Sequence, residues 1–300
     1  MVNDKKDLIK RQVADWQKWS SYWKLLKAGS RPSQEDVKTI FKQISEHIKG
    51  IKNPKIIILG STPEFREMCT IFSVVYGAEI VCVELVEYMY KAMTELVLQK
   101  NEKESVIFCN WLEIKLPSKF ADIIVGDLTE GNITAELLPK YYLEMNRILK
   151  SNGKYIHRTT AYPSKENANP AITFEDVLKK IESYKEQVLK GELSVHEAAN
   201  NFGAELAWDS WYKIDNGREL SISVYGSDIT KIDKLNDKLL ILIMKAFHMI
   251  WDNAIAKTWD YYDFEKTNKN YQKFFREVKC YYASSYPIAK YTPVFVMSKK

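Results

Sequence analysis

The sequence predicts an α/β fold: a doubly wound, seven-stranded sheet with a C-terminal antiparallel hairpin and a helical lid or insertion. Three observations carry this. Between residues 55 and 160, apolar strand-like runs alternate with helical stretches. Those runs are nearly continuous Val and Ile, the pattern of parallel strands that crossover helices bury on both faces. Near the end, VKCYYASSYPIAKYTPVFVMS (278–298) holds two further strand-like runs around a short proline-containing turn, which reads as a hairpin.

Taken in order, residues 7–27 predict an amphipathic helix, with Trp16, Trp19, Tyr22, Trp23 and Leu26 at three- and four-residue spacing. GSRP (29–32) ends it. Ser33 then caps a second helix, with Asp36 completing a capping box and Gly50 as the stop. KIIIL (55–59) is the first strand, followed by a helix from Pro63 to about Tyr76 that ends at Gly77. EIVCVE (79–84) is the second strand, followed by a helix over 86–98; SVIFC (105–109) is the third. FADIIVG (120–126) is the fourth strand, followed by a helix over 135–149 and an SNG turn at 151–153. KYIHRTT (154–160) is the fifth. The alternation lapses over 161–216, where Thr173 with Asp176 and Ser194 with Glu197 cap two helices, and one long helix is expected over 231–257. The expected divisions are a helical lid at 1–50, a core at 51–160, an insertion or substrate region at 161–257, and the rest of the core at 258–300.

Bulk properties narrow the classes. The 300 residues suffice for one large domain or a domain with a sizeable insertion, and 46% hydrophobic with 28% charged residues are globular values. A net charge of +5, with lysines spread along the chain, reads as a solvated surface and sets nucleic acid aside as partner. Cys69, Cys82, Cys109 and Cys280 stand singly in apolar stretches, as reduced buried thiols do, and no metal-ligand spacing is present. The opening MVNDKKDLIKRQ has no apolar core, and LLILIMKAF (239–247) is broken by Lys245 and too short to span a bilayer. The expectation is a cytoplasmic protein with no membrane partner.

The chemistry centres on the turn after the first strand. In open α/β sheets ligands bind at the carboxyl ends of the strands, near the switch point. Gly60 lies there, Thr62 is placed as helix N-cap and Pro63 as first helical residue. Glu84, at the end of the second strand, is placed to accept hydrogen bonds from a ribose diol. The glycines that let a backbone approach a pyrophosphate, as in GxGxxG or a P-loop, are absent. A nucleoside without phosphates points to S-adenosylmethionine.

The ordered set LGSTPE (59–64), VCVE (81–84), CNW (109–111) and ADIIVGDL (121–128) resembles class I S-adenosylmethionine-dependent methyltransferases, which have a Rossmann-like core. It is closest to a bacterial branch whose first motif reads Leu-Gly-x-Thr-Pro-Glu. The resemblance covers roughly residues 35–160, and the final hairpin fits the family's reversed last strands. It implies that Gly60, Ser61 and Thr62 line the methionine moiety, that Glu84 holds the ribose hydroxyls, and that Leu85 and Met89 flank the adenine. Asn110 and Trp111 stand where the family commonly reads the adenine amino group with an acid; Asn is a departure, but its amide oxygen can still accept that hydrogen bond. Gly126 and Asp127 would adjoin the sulfonium, and Tyr22 would reach across the cofactor. Plainer roles stand beside these: core packing for Met89 and Trp111, a turn cap for Asp127, an amphipathic stripe for Tyr22.

Methyl transfer from a sulfonium is an in-line displacement, so alignment and exclusion of water matter most, and a base is needed only for a protonated nucleophile. Asp127 and His157 are the candidate catalytic groups, with a satisfied structural histidine as the default reading of His157. Arg158 follows His157 on the fifth strand, so the two point to opposite faces. The expected function is methyl transfer to O or N of a small molecule or peptide. The alternatives are a non-catalytic nucleoside-binding or interaction module on the same fold, or an NAD-dependent oxidoreductase.

Overall fold

β1 (Lys55–Leu59) explains why the sheet forms where it does. Ile57 and Leu59 join the apolar cluster on one face, Ile56 and Ile58 the cluster on the other, so an unbroken apolar run is what a strand covered on both sides requires. The structure, a computed structural model, describes residues 20, 23–161, 173–209, 225–251 and 263–300. β1, β2 (Glu79–Glu84), β3 (Glu104–Phe108), β4 (Ala121–Asp127), β5 (Leu149–Arg158), β6 (Phe275–Tyr281) and β7 (Val294–Lys299) form one seven-stranded sheet in the order β3-β2-β1-β4-β5-β7-β6. The first five strands are parallel, and β7 runs antiparallel to both β5 and β6. This is the predicted doubly wound fold with its C-terminal antiparallel hairpin, in which β7 alone is reversed against the other six strands. The winding direction reverses between β1 and β4, which puts the crevice at the carboxyl ends of those two strands.

The helices are α1 (Gln34–Ile48), α2 (Pro63–Tyr76), α3 (Glu87–Thr94), α4 (Leu138–Ile148), α5 (Phe174–Leu189), α6 (Val195–Asp209), α7 (Gly226–Asp233), α8 (Lys238–Trp251) and α9 (Phe264–Phe274). α1 and α2 cover one face of the sheet through Ile40, Ile44, Ile48, Phe65 and Phe72. Tyr141, Tyr142 and Met145 of α4 and Tyr271 of α9 cover the other. α5 to α8 build a third apolar cluster, which also takes in Trp23, Leu26, Val86, Met89 and Met93. The helical layer thus grows directly from α3, beside the carboxyl end of β2. Among the described residues no helix is long and apolar enough to cross a membrane.

Several local expectations change. The segment expected as one helix over 231–257 is two, α7 and α8, because the Asp237 carboxylate accepts the amides of Leu239 and Leu240 (2.9 Å each) and starts a new helix there. Residues 252–257 lie outside the described residues. The expected SNG turn lies within β5 as a bulge: pairing passes from Ala121–Leu149 to Ile123–Lys154. A Cβ on Gly153 would lie 2.9 Å from the Leu149 side chain and 3.0 Å from the Ala121 carbonyl oxygen, so that approach needs glycine. α1, expected within a lid, is a layer on the sheet because its isoleucines pack there. Trp23–Leu25 forms a short 3-10 turn, while Trp16, Trp19 and Tyr22 lie outside the described residues.

Candidate functional site

The turn after β1 gathers several of the expected residues. Gly60 has φ +88°, a conformation that favours glycine, and its amide donates to the Val83 carbonyl (2.8 Å), tying the ends of β1 and β2. A Cβ added at Gly60 would lie 3.8 Å from Glu84 Oε2 and 3.8 Å from Trp111 Cζ2. Gly60 therefore faces the space between that carboxylate and that ring. Glu84 is buried at 7% exposure. Its Oε1 accepts the amides of Leu85 (2.8 Å) and Val86 (3.0 Å), and its Oε2 accepts the Ser61 hydroxyl (3.2 Å). Trp111 is fixed by its Nε1–H, which donates to the Val83 carbonyl (2.7 Å).

The neighbouring positions divide. Asn110 Oδ1 accepts the Leu112 amide (2.9 Å), a local turn that keeps one lone pair for another donor. Thr62 is the N-cap residue of α2 by position, but its side chain makes no capping bond. Met89 is buried in the cluster of the helical layer, and Leu85 packs against that cluster half-buried.

At the end of β4 the chemistry is different. Register pairs Leu59 with Gly126, so Gly60 and Asp127 leave adjacent strands side by side. The Asp127 carboxylate is gripped at both oxygens by Arg158, Nε to Oδ1 at 2.5 Å and Nη2 to Oδ2 at 3.1 Å, with both side chains buried. Arg158 Nη1 also donates to the Gly29 carbonyl (3.0 Å) and reaches the Tyr286 hydroxyl (3.5 Å). Burial alone would lower the Arg158 pKa, but Asp127, Tyr286 and Asp36 outweigh it and drive it up. The Tyr286 hydroxyl in turn donates to Asp36 Oδ2 (3.1 Å). Both oxygens of Asp127 are thus committed to a structural fork.

His157, expected as a base, is fully buried on the opposite face of the sheet from Arg158. Its ring stacks on Tyr155. The Thr129 amide donates to Nε2 (3.2 Å), which makes Nε2 an acceptor and puts the proton on Nδ1. Nδ1 lies 3.2 Å from the Tyr271 hydroxyl and 3.4 Å from Glu130 Oε1, and Tyr271 donates to the same Glu130 oxygen (2.8 Å). Both ring nitrogens are engaged, so the histidine holds the loop after β4 rather than facing a substrate. Gly126 belongs to that packing: a Cβ there would lie 3.0 Å from His157 Cδ2 and 3.3 Å from Thr129.

Sequence reasoning used Glu64 only as a helix start, and the structure gives it more. Arg31 Nε and Nη2 both contact its Oε1, each at 2.7 Å. Its Oε2 is buried and has no hydrogen-bond partner. Burial raises the Glu64 pKa, Arg31 opposes that, and Asp127 adds to the rise. The signal was available in LGSTPE, where the acid falls in the first turn of α2 beside the crevice. Arg31 and Tyr286 carried none, since only the fold brings them here.

No protein-family model matches the chain, and no curated protein matches it. Among solved structures, one from Rhodobacter sphaeroides named for zinc-dependent alcohol dehydrogenases is similar over 96% of this chain and 98% of its own, at 13% identity and a TM-score of 0.53. The 1,6-didemethyltoxoflavin-N1-methyltransferase of Burkholderia thailandensis, solved with 1,6-didemethyltoxoflavin and S-adenosylhomocysteine, is similar over 99% of this chain and 90% of its own, at 10% identity and a TM-score of 0.50. Identities this low make both a likeness of fold. Among the described residues no group of three or more His, Cys, Asp or Glu side chains is arranged to hold a metal ion.

Proposed function

We propose that this protein is an S-adenosylmethionine-dependent methyltransferase acting on O or N of a small molecule or peptide. The observation that carries the reading is the space in front of Gly60, bounded by the Glu84 carboxylate and the Trp111 ring. A carboxylate at the end of β2 suits a ribose diol, and an aromatic wall beside it suits a nucleoside base. The Leu85 and Val86 amides and the Ser61 hydroxyl hold the Glu84 carboxylate in place, where it can accept from ribose hydroxyls. The turn has one glycine where dinucleotide loops have three, which favours a ligand without a pyrophosphate.

The cofactor, when bound, supplies a methyl group already activated for displacement. The residues of the chain do the rest: Gly60 and Ser61 let the backbone approach, Glu84 orients the ribose, and Trp111 and Asn110 border the base. Gly126 and the Asp127–Arg158 fork keep the end of β4 rigid beside the reacting end. This is catalysis mainly by alignment.

The test is a thermal-shift titration with S-adenosylmethionine, S-adenosylhomocysteine and NAD, with Glu84→Ala alongside. The expected result is stabilisation by the first two only, lost in the variant. Stabilisation by NAD, or by none of the three, overturns the reading. One observation favours a second reading, a nucleoside-binding module without turnover: Asp127 and His157 are both fully engaged. Ligand binding with no conversion of S-adenosylmethionine across a panel of amine and hydroxyl acceptors would support it.

A further inference from the structure

Beneath the loop that leaves β4 runs a buried, hydrogen-bonded set of polar side chains that the nucleoside site does not use. Thr129 and Glu130 come from the loop, Tyr155 and His157 from β5, Tyr141 from α4 and Tyr271 from α9, and none is more than 1% exposed. The Tyr155 and Tyr141 hydroxyls lie 2.7 Å apart, Tyr141 and Thr129 Oγ1 2.8 Å apart, and Thr129 Oγ1 lies 2.8 Å from His157 Nε2. On its other side the ring meets Glu130 Oε1 and the Tyr271 hydroxyl.

One nitrogen sets the direction of this run. Nε2 accepts the Thr129 amide, so it carries a lone pair and no proton. The Thr129 hydroxyl then donates to Nε2, Tyr141 donates to Thr129, and Tyr155 donates to Tyr141. A proton on Nε2 inverts the run. Nε2–H donates to Thr129 Oγ1, the Thr129 hydroxyl turns to Tyr141, and the Thr129 amide faces an N–H instead of a lone pair. The same side chains therefore have two discrete arrangements, and only one of them satisfies that buried amide.

The titratable groups around the ring come from every element packed on it. Glu130 and Asp127 stand on the β4 side, with Asp127 held by Arg158. Burial drives the Tyr141, Tyr155 and Tyr271 phenols well above their ordinary value, so all three stay protonated. His157 is the group of this run whose ordinary range lies between about pH 5 and 8.

We infer that His157 is a proton-operated catch for the loop that leaves β4: neutral, it holds the Thr129 amide, and charged, it lets that amide go. The proton comes from solvent and adds one N–H bond at Nε2, with the Glu130 carboxylate beside the ring to balance its charge. The loop begins in a strained turn, since Leu128 has φ +51° and its amide donates to the Arg158 carbonyl (2.8 Å). Releasing Thr129 loosens the chain directly after that turn, at the carboxyl end of β4 where the crevice lies. Nothing in this catch depends on a ligand, so it holds whether or not the crevice takes S-adenosylmethionine.

The test is made on the full chain, without ligand, between about pH 8 and pH 5. Imidazole nitrogen resonances report the His157 ring; the chain has 4 histidines, and substituting the others in turn assigns its signal. Amide hydrogen exchange, corrected for its intrinsic pH dependence, reports residues 128–133. The expected result is a neutral ring with its proton on Nδ1 at the upper end and a charged ring at the lower end. Loop exchange should speed up about tenfold with the same midpoint, as the loss of one ordinary hydrogen bond implies. Thr129→Val removes the hydroxyl that accepts from a charged Nε2 but keeps the amide, so both midpoints should move together to lower pH. His157→Gln has no proton to gain and should show no transition in loop exchange. A ring that keeps one charge state across the range overturns the inference. So does loop exchange that stays flat, or that changes without following the ring in either protein. Should a variant fail to fold, the wild-type comparison of ring and loop decides alone.

Discussion

Two acids end the strands that flank β1 on either side, and the fold treats them in opposite ways. Glu84, at the end of β2, accepts from two amides and a hydroxyl. Asp127, at the end of β4, is clamped by a guanidinium that is itself wholly buried. Equivalent topological places thus carry different partners: backbone amides and a hydroxyl hold the acid that the proposed function gives to a ribose, whereas a buried guanidinium ties the other into the frame. The partners decide the role, not the acid.

The strongest way to break the contrast is to remove the counter-ion. Arg158→Met leaves Asp127 buried without a partner and should lower unfolding stability by about 3–5 kcal/mol, read by urea denaturation. Adding Asp127→Leu should recover most of that loss, since the pair is structural. The matching change at the other acid, Glu84→Gln, should move binding more than folding. Loss of a charged hydrogen bond costs about 1.5–3 kcal/mol, roughly ten- to hundredfold in the S-adenosylhomocysteine Kd by calorimetry. Equal losses of folding stability in both variants would erase the distinction. Gly126→Ala presses on His157 and Thr129 and should cost about 1.5 kcal/mol by overpacking, seen as a lower Tm with little change in nucleoside affinity. Trp111→Phe removes the bond to the Val83 carbonyl together with part of the ring that faces Gly60 and should cost about 1 kcal/mol for the bond alone, with a weakening of nucleoside binding that sharpens the case for its ring.

Glu64 stands between the two conditions and gives the smallest effect. Its carboxyl is raised, chiefly by burial, so ionising it opposes folding. Its contribution is therefore fully present below the ordinary glutamate value and lost as pH rises through the folded one. Glu64→Gln should flatten that part of the pH–Tm curve, starting near the ordinary value of 4.5; an unaltered slope would count against the burial argument.

The strand runs were legible because a sheet covered on both faces writes its burial directly into Val and Ile content. The helix from Pro63 to Tyr76 was legible too, because Pro and Gly punctuate it and Gly77 takes the left-handed conformation. The break between α7 and α8 was missed because apolar periodicity runs up to it and one aspartate overrides it. Near the crevice, the places of Gly60 and Glu84 at the ends of β1 and β2 followed from the strand runs. His157 is the satisfied structural histidine that was its default reading, but its partners Glu130 and Tyr271 come from other elements and no spacing names them. Glu64 was in view, but its bare oxygen depends on how Arg31 approaches, which no spacing records.

The sharing of Val86, Met89 and Met93 with the helical layer has a consequence for how such a protein diversifies. The helical layer is no detachable module, since part of its interior belongs to the element that follows Glu84. Grafting it onto a relative would carry over a mismatched seam unless those three positions travelled with it. A chimera that exchanges residues 173–251 alone should fold poorly, and one that exchanges residues 86–93 as well should regain cooperative melting.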